Sequence, residues 1–456
     1  MNTLWSNHGR TRPILALFTL FVIWKSLIAL IVLTAPGAGY DTSTSLLLAR
    51  PGIGNGHVVS NEPDPMPSSW LKFVRWDAIY FTHMANQGHV FEQEWAFGIG
   101  LSTAISWTAK CLSALGVSDR LLSATLAGVV LSHVSHWLSV VQLWALTKAL
   151  VEGMPCPDHD LPFRAAALHI ISPAGVFLSA PYAESLFSFL SMSGFLGFVY
   201  ALQRFSKNQT FAGSAMMGLA GLSSCAATIV RSNGILAGIP FLFEAITAAL
   251  STLSQGLSTT RLTQLASLGA GGLLVGIGLA YPQFLAFQEY CSGRSPEDRR
   301  PWCNLTLPSI FTWVQSHYWN VGPFCYWTVS NLPLFLLASP CLGLLTYSAV
   351  DVLRHPACLV RGVSAASSSV GTGTISSVQK RIIMSLALPQ LVLAILALTS
   401  YHVQIITRLS SGYPLWYIWL ACKLQDKPKR TSLPIRWMVL YALIQAGLYA
   451  CFLPPA

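Results

Sequence analysis

The stretch from Trp70 to Phe97, WLKFVRWDAIYFTHMANQGHVFEQEWAF, holds the residues best suited to chemistry. Placed at 100° per residue as one helix, Trp70, Phe73, Trp76, Tyr80, Phe81 and Met84 share a face, and Lys72, Arg75, Thr82, His83 and Asn86 lie on or near the other. Asp77 falls inside the apolar face. A carboxylate there must be paired, protonated or working, because an uncompensated charge in apolar surroundings is expensive. Two readings stand side by side: a structural ion pair with Arg75 or His83, or a general base. The chain has 17 acids, so the search for such a group is short. Asp77, Glu92, Glu94, Glu184 and Glu289 remain once the loop acids are set aside, with Arg231, His317 and Arg408 as the cations that could face them. Lys25, His133, His136 and His169 fall within apolar tracts, where ionisable groups are functional candidates, although Lys25 can also snorkel or pair structurally.

The elements that carry these residues are membrane spans. Of 456 residues 53% are hydrophobic and 10% charged, and the mean hydropathy is +0.54. That composition describes an all-α polytopic membrane protein built as one bundle. Apolar length predicts spans at 14–35, 121–147, 164–180, 183–203, 211–229, 233–251, 264–290, 326–350, 380–402, about 411–424, and 434–453. The net charge of +10 fits basic cytosolic loops, and no basic run is interleaved with aromatics as nucleic-acid binding would require. Arg10 and Arg12 put a cytosolic N-terminus at 1–13, so the loop 36–120 is lumenal. Cytosolic Arg204, Lys207 and Arg261 then fix the later loops, with 291–325 lumenal and 351–379 cytosolic and flexible. Parity requires 97–117 to be an interfacial helix that does not cross. GAGG at 269–272 reads as a site of close helix packing, and neither Walker A nor GxGxxG is present.

Further segments stand out by composition. Ser172–Ser185 is a Pro-flanked turn that sets Tyr182 and Glu184 at the membrane surface, where Glu184 also suits a helix N-terminus. Arg231-Ser232-Asn233-Gly234 joins two spans. WVQSHYWNVGPFCYW at 313–327 supplies Gln315, His317, Tyr318 and Trp319; it fits an interfacial aromatic belt as well as it fits stacking and hydrogen bonding to a sugar. Cys291 and Cys303 bracket a polar loop and would pair if that loop is lumenal. Asn304-Leu305-Thr306 beside them is a glycosylation sequon, whereas Asn208-Gln209-Thr210 lies among cytosolic cations. No cysteine or histidine spacing suggests a metal site.

RWDAIYF at 75–81, FEQEWAF at 91–97, SPAGVFLSAPYAESLFSFLS at 172–191, RSNG at 231–234, YW at 318–319, YWTVSNLPLFLLASP at 326–340 and TRLSSGYPLWYIWLA at 407–421 resemble the PIG-V family of GPI mannosyltransferases, in order and over nearly the whole chain. Gly98-Ile99-Gly100 departs from the family, which usually has an aromatic and a proline there. The resemblance implies a GT-C helical bundle in the endoplasmic reticulum membrane, with interfacial helices and an essential acid in its first lumenal loop. It implies dolichyl-phosphate mannose as donor, a mannosyl-glucosaminyl-(acyl)phosphatidylinositol precursor as acceptor, and transfer of the second mannose in α-1,6 linkage. On that reading Asp77 is the base, and Arg408 and then Arg231 meet the donor phosphate, which arginine binds bidentately. Glu92, Glu94, Trp95, Tyr182, Glu184, Asn233, Gln315, His317, Tyr318 and Trp319 contact acceptor or sugar, no metal or other cofactor takes part, and the need for a small accessory membrane subunit is left open. A protein O-mannosyltransferase or another enzyme using a dolichyl-phosphate sugar is the nearest alternative. A lipid transporter would show inverted repeats, and the sequence has none.

Overall fold

Apolar length and breaker residues together set the architecture seen in a computed structural model, which describes residues 12–36, 69–117, 120–152, 158–295, 297–359, 375–426 and 428–453. Most of segment 1–13, the first half of the loop 36–120, and the Ser/Gly-rich centre of 351–379 lie outside the described residues. Among those described, the elements are helical without a strand. Among the described residues, nine helices are long and apolar enough to cross a membrane: Pro13–Thr34, Leu122–Glu152, Ala183–Ser206, Thr210–Val230, Ser232–Gln255, Thr259–Tyr290, Val329–Arg354, Ser377–Thr399 and Thr431–Ala450. The chain is therefore a multi-pass membrane protein.

Two expected spans are not single helices. The tract 164–180 contains a short helix, Leu161–Ile170, then a turn at Ser172-Pro173 and a 3-10 turn at Gly175–Leu178. Pro173 lacks an amide hydrogen and disfavours the helical conformation at Ser172, which promotes a break here, although Pro282, Pro340 and Pro389 are carried inside continuous helices elsewhere. Likewise 411–424 is a 12-residue helix, Leu415–Asp426, preceded by the single turn Ile406–Leu409 and a 3-10 turn at Ser410–Gly412, with Pro414 just before the helix. Irregular backbone inside a bundle survives only where protein covers it. Both breaks are covered: residues 172–185 and 409–421 are buried throughout. These two breaks carry Tyr182, Glu184 and Arg408.

Ionisable residues sort to the two ends of the bundle. One end holds Arg164 paired with Asp158, Lys423 with Asp351 at 3.2 Å, and Arg381 with Glu244 at 3.4 Å. The other holds Asp77, Glu184, Arg231 and Arg408. Gly271 permits close helix packing, since a Cβ there would lie 2.3 Å from the Phe241 ring.

The Trp70–Phe97 stretch is not one helix. A 3-10 turn at Trp70–Phe73 is followed by a break, and an α-helix begins at Asp77 and runs to Gln87. The sequence expectation fails at Trp76, whose φ of 54° no helix accommodates. Asp77 is thus the first residue of a helix rather than part of an apolar face. The helix Gly100–Ala114 has 15 residues, about 22 Å at 1.5 Å per residue and short of a ~30 Å hydrocarbon core. Ser123 donates from Oγ to Ala109 O at 2.9 Å and ties it to the start of the next helix. Gly98 has a φ of +75°, and a Cβ on it would lie 2.7 Å from Ile229 O. The positive φ and the close Ile229 carbonyl leave no room for a side chain at Gly98 in this chain.

Candidate active site

Asp77 opens its helix, and its partner comes from 331 residues away: Arg408 Nη2 donates to Asp77 Oδ2 at 2.8 Å. The expected structural partners are otherwise placed. His83 Nδ1 lies 2.6 Å from Glu94 Oε1, and the Arg75 guanidinium lies over the Phe452 ring at 4.6 Å. Arg408 sits on the one-turn helix Ile406–Leu409, and its Nε donates to Glu184 Oε1 at 2.6 Å. Arg231 Nη1 donates to the same oxygen at 2.8 Å. Glu184 has a side-chain exposure of 0%, in the first turn of the helix Ala183–Ser206. It is therefore a buried anchor for both arginines, not a group open to acceptor. The Arg408 guanidinium also lies over the rings of Phe177 (4.6 Å) and Tyr182 (4.9 Å), a contact that favours a cation.

Two guanidinium charges balance two carboxylates in this cluster. Burial alone would draw Arg408 down, but Glu184 and Asp77 outweigh it and hold the group above its ordinary value. At Arg231 burial dominates over the Glu184 attraction, and the guanidinium is drawn below its ordinary value. Arginine remains a cation through shifts of this kind. Burial also raises the Tyr182 phenol, helped by the Asp77 charge, so Tyr182 acts as a neutral hydrogen-bonding group.

The cluster forms part of the lining of a cavity of about 590 Å³, within the size range of ligand pockets. Asp77, Arg231 and Arg408 reach it, as do Tyr182, Asn233, Gln315 and Trp319. Glu184 stays behind the wall, and five further expected site residues do not reach the cavity either. Glu92 accepts from Arg300 Nη2 (2.6 Å), Trp302 Nε1 (2.7 Å) and Tyr318 OH (3.0 Å), stapling the loop after Cys291 to residues 92–97. Burial pushes its carboxyl up, and these bonds more than reverse that, leaving it below its usual value. Glu94 accepts the amides of Val90 (2.7 Å) and Phe91 (2.9 Å). Trp95 packs in a separate apolar cluster with Trp302 and Ile310, and His317 stacks on Trp313 at 4.4 Å. With Tyr318 committed to Glu92, these groups build the scaffold of the end loop. Cys291 and Cys303 form a disulfide within it, and Asn304 beside them is exposed.

Sequence reasoning missed part of the wall. Tyr401, His402, Gln404 and Phe311 line the cavity, and Tyr80 and Phe97 stack at 5.1 Å on its rim. His402 has Nε2 3.0 Å from Trp319 O and its ring 4.6 Å from Tyr326. A signal for the first three existed: parity sets 401–411 at the Asp77 end, so Tyr401, His402 and Gln404 share the level of Arg408.

A carboxylate and two anchored guanidiniums line an aromatic-walled cavity at one end of a multi-pass bundle, the arrangement of a membrane protein with a polar site. The chain belongs to the mannosyltransferase family described as Mannosyltransferase (PIG-V), whose family model matches residues 14–456. It is similar to the protein of Gibberella zeae named GPI mannosyltransferase 2, with 42% identity over 98% of this chain and 99% of that one. The protein of the same name from Aspergillus oryzae is 39% identical over 97% of this chain and 96% of its own. Among solved structures, the archaeal oligosaccharyltransferase AglB from Archaeoglobus fulgidus, in complex with an inhibitory peptide and a dolichol-phosphate, aligns over 96% of this chain. The chain spans 55% of that protein, at a TM-score of 0.42 and 14% identity, a likeness too slight to carry an argument.

Proposed function

We propose that this mannosyltransferase works in the endoplasmic reticulum membrane as a GT-C-type enzyme of GPI-anchor biosynthesis, moving mannose from dolichyl-phosphate mannose to the mannosyl-glucosaminyl-(acyl)phosphatidylinositol precursor. The relatives' name supports the GPI precursor as acceptor. The observation that carries the chemistry is the shared cavity of Asp77, Arg408 and Arg231, with Glu184 buried behind both arginines.

The reaction is an inverting displacement that gives the second mannose in α-1,6 linkage. The acceptor 6-hydroxyl oxygen attacks the anomeric carbon of the donor, and the bond to the phosphate oxygen breaks on the opposite face. The hydroxyl proton passes to Asp77, and the dolichyl phosphate leaves with the bonding pair. Arg408 and Arg231 present N–H donors to that phosphate, and their fixed placement stabilises the charge as it develops. Trp319, Phe97 and Tyr80 form one run of rings, with Phe97 5.3 Å from Trp319 and 5.1 Å from Tyr80, and offer faces for sugar rings, while Gln315 and Asn233 offer amides. Catalysis is metal-independent on this reading, so chelators leave the rate unchanged. The active site faces the lumen. Asp77, the disulfide Cys291–Cys303 and the exposed Asn304 sequon lie at one end of the bundle, and Glu92 joins the two loops directly.

The test uses microsomes expressing the full chain, supplied with dolichyl-phosphate mannose and the monomannosyl lipid. A dimannosyl lipid bearing an α-1,6 bond is the expected product. Absence of product from active microsomes, or transfer to protein serine or threonine instead, contradicts the proposal.

A further inference from the structure

Trp76 adopts φ 54° and ψ −127°, close to the roughly +60°, −120° of the second residue of a type II′ turn. Ala78 N donates to Arg75 O at 3.1 Å and closes that turn. Glycine dominates this position because a Cβ there is strained, and a tryptophan is a severe departure. Such a conformation persists only where its surroundings over-determine it. Two buried tyrosine hydroxyls do so. Tyr182 OH accepts from Asp77 N at 3.1 Å and donates to Arg75 O at 3.1 Å, bridging the two residues on either side of Trp76. Tyr449 OH accepts from Arg75 N at 3.2 Å and donates to Phe73 O at 2.8 Å, fixing the strand of chain that enters the turn. The two rings lie 5.9 Å apart. Tyr449 comes from the last described helix, Pro428–Ala450, and is absent from the cavity wall.

We infer that Tyr182 and Tyr449 form a hydroxyl clamp on the strained Trp76 turn, and that Tyr449 is a positioning residue that aims Asp77 at Arg408. The inference rests on the reading of Asp77 as the acting carboxylate. Without the clamp, a residue other than glycine at position 76 relaxes to a commoner turn, and the first residue of the following helix rotates away from Arg408. Glycine adopts the turn without strain, so it needs the clamp less. That coupling separates positioning from simple support of the fold, which would be indifferent to the residue at 76.

The experiment is a double-mutant cycle in the full-length chain. Wild type, Tyr449→Phe, Trp76→Gly and the double variant are expressed in microsomes and assayed with dolichyl-phosphate mannose and the monomannosyl lipid, with rates taken per molecule of protein. Tyr449→Phe keeps the ring and removes only the hydroxyl. It should lower the saturated rate about tenfold, with KM for both substrates within about twofold of wild type. In the Trp76→Gly background the same substitution should cost less than about threefold. An equal factor in both backgrounds, or a wild-type rate for Tyr449→Phe, overturns the clamp. Should Tyr449→Phe fail to accumulate, recovery of its abundance by Trp76→Gly supports the clamp and equal failure overturns it. Asp77→Asn is run beside them. An active Asp77→Asn removes the reading of Asp77 itself, whereas an inactive one without coupling removes only the clamp.

Discussion

Glu184→Gln is the sharpest perturbation of the charge cluster. The side chain is fully buried, and one oxygen, Oε1, takes Arg408 Nε at 2.6 Å and Arg231 Nη1 at 2.8 Å. Glutamine keeps the volume and one acceptor oxygen but removes a charge, so two partly buried guanidiniums, each 16% exposed, are left with Asp77 alone. It also turns an amide N–H₂ toward one of the cations. Breaking a buried pair by removing one partner costs about 3–5 kcal/mol, because the remaining charge stays desolvated. Against a total stability on the order of 5–15 kcal/mol, that is a large fraction. The detergent-solubilised variant should melt roughly 3–5 °C below wild type. The surviving folded protein should also transfer mannose more slowly by roughly 10²-fold, since Arg408 is no longer held where charge develops. Glu184→Asp should recover little, because the shortened side chain cannot reach both arginines. A Gln variant that melts and turns over like wild type would refute the reasoning, for it would mean that Glu184 does not hold the arginines.

Three further outcomes follow from the same geometry. Arg408→Ala should slow transfer by roughly 10²- to 10³-fold, with partial rescue by Lys, which lacks the planar fork; a near-normal Ala variant assigns the phosphate to Arg231. Glu92 is held below its usual carboxyl value by Arg300, Trp302 and Tyr318 although burial pushes it up, so its contribution is complete above the unfolded value of about 4.3 and is lost as pH falls through the lower folded value. Protease protection of the 297–319 loop should therefore collapse in that acid range in wild type, and Glu92→Gln should weaken it at pH 7 and flatten its pH dependence; an unchanged profile contradicts this. Asn304 should carry one endoglycosidase-sensitive glycan and Asn208 none, and a glycan on Asn208 would reverse the orientation assigned to the bundle.

Much of the fold was legible because long apolar tracts have one cheap solution in a bilayer, the hydrogen-bonded helix. The places where that logic fails are the places that build the site. Apolar length over 164–180 and 411–424 does not reveal that Ser172-Pro173 and Ser410-Ser411-Gly412 interrupt the helices, although Pro173 and Pro414 were visible signals. Periodicity around Asp77 singled out a residue that lines the cavity, but on an argument that fails, since the helix starts at Asp77 and no apolar face buries it. Its partner, Arg408, was recognisable as a cation at the same end, but pairing across 331 residues is a tertiary fact. Glu92, Glu94 and Tyr318 were drawn toward the substrate by their acidic and aromatic composition, and the same composition serves equally to staple a loop.

The central claim is that Asp77 accepts the acceptor proton, and Asp77→Asn tests it most directly. Asparagine keeps the size and a hydrogen-bonding oxygen for Arg408 but cannot take the proton. The measurement is dimannosyl lipid formed per molecule of enzyme in microsomes, with protein abundance and the Asn304 glycan read from the same samples. The account predicts normal abundance, normal glycosylation and a rate lower by at least ~10²-fold. Dimannosyl lipid formed at close to the wild-type rate would contradict it.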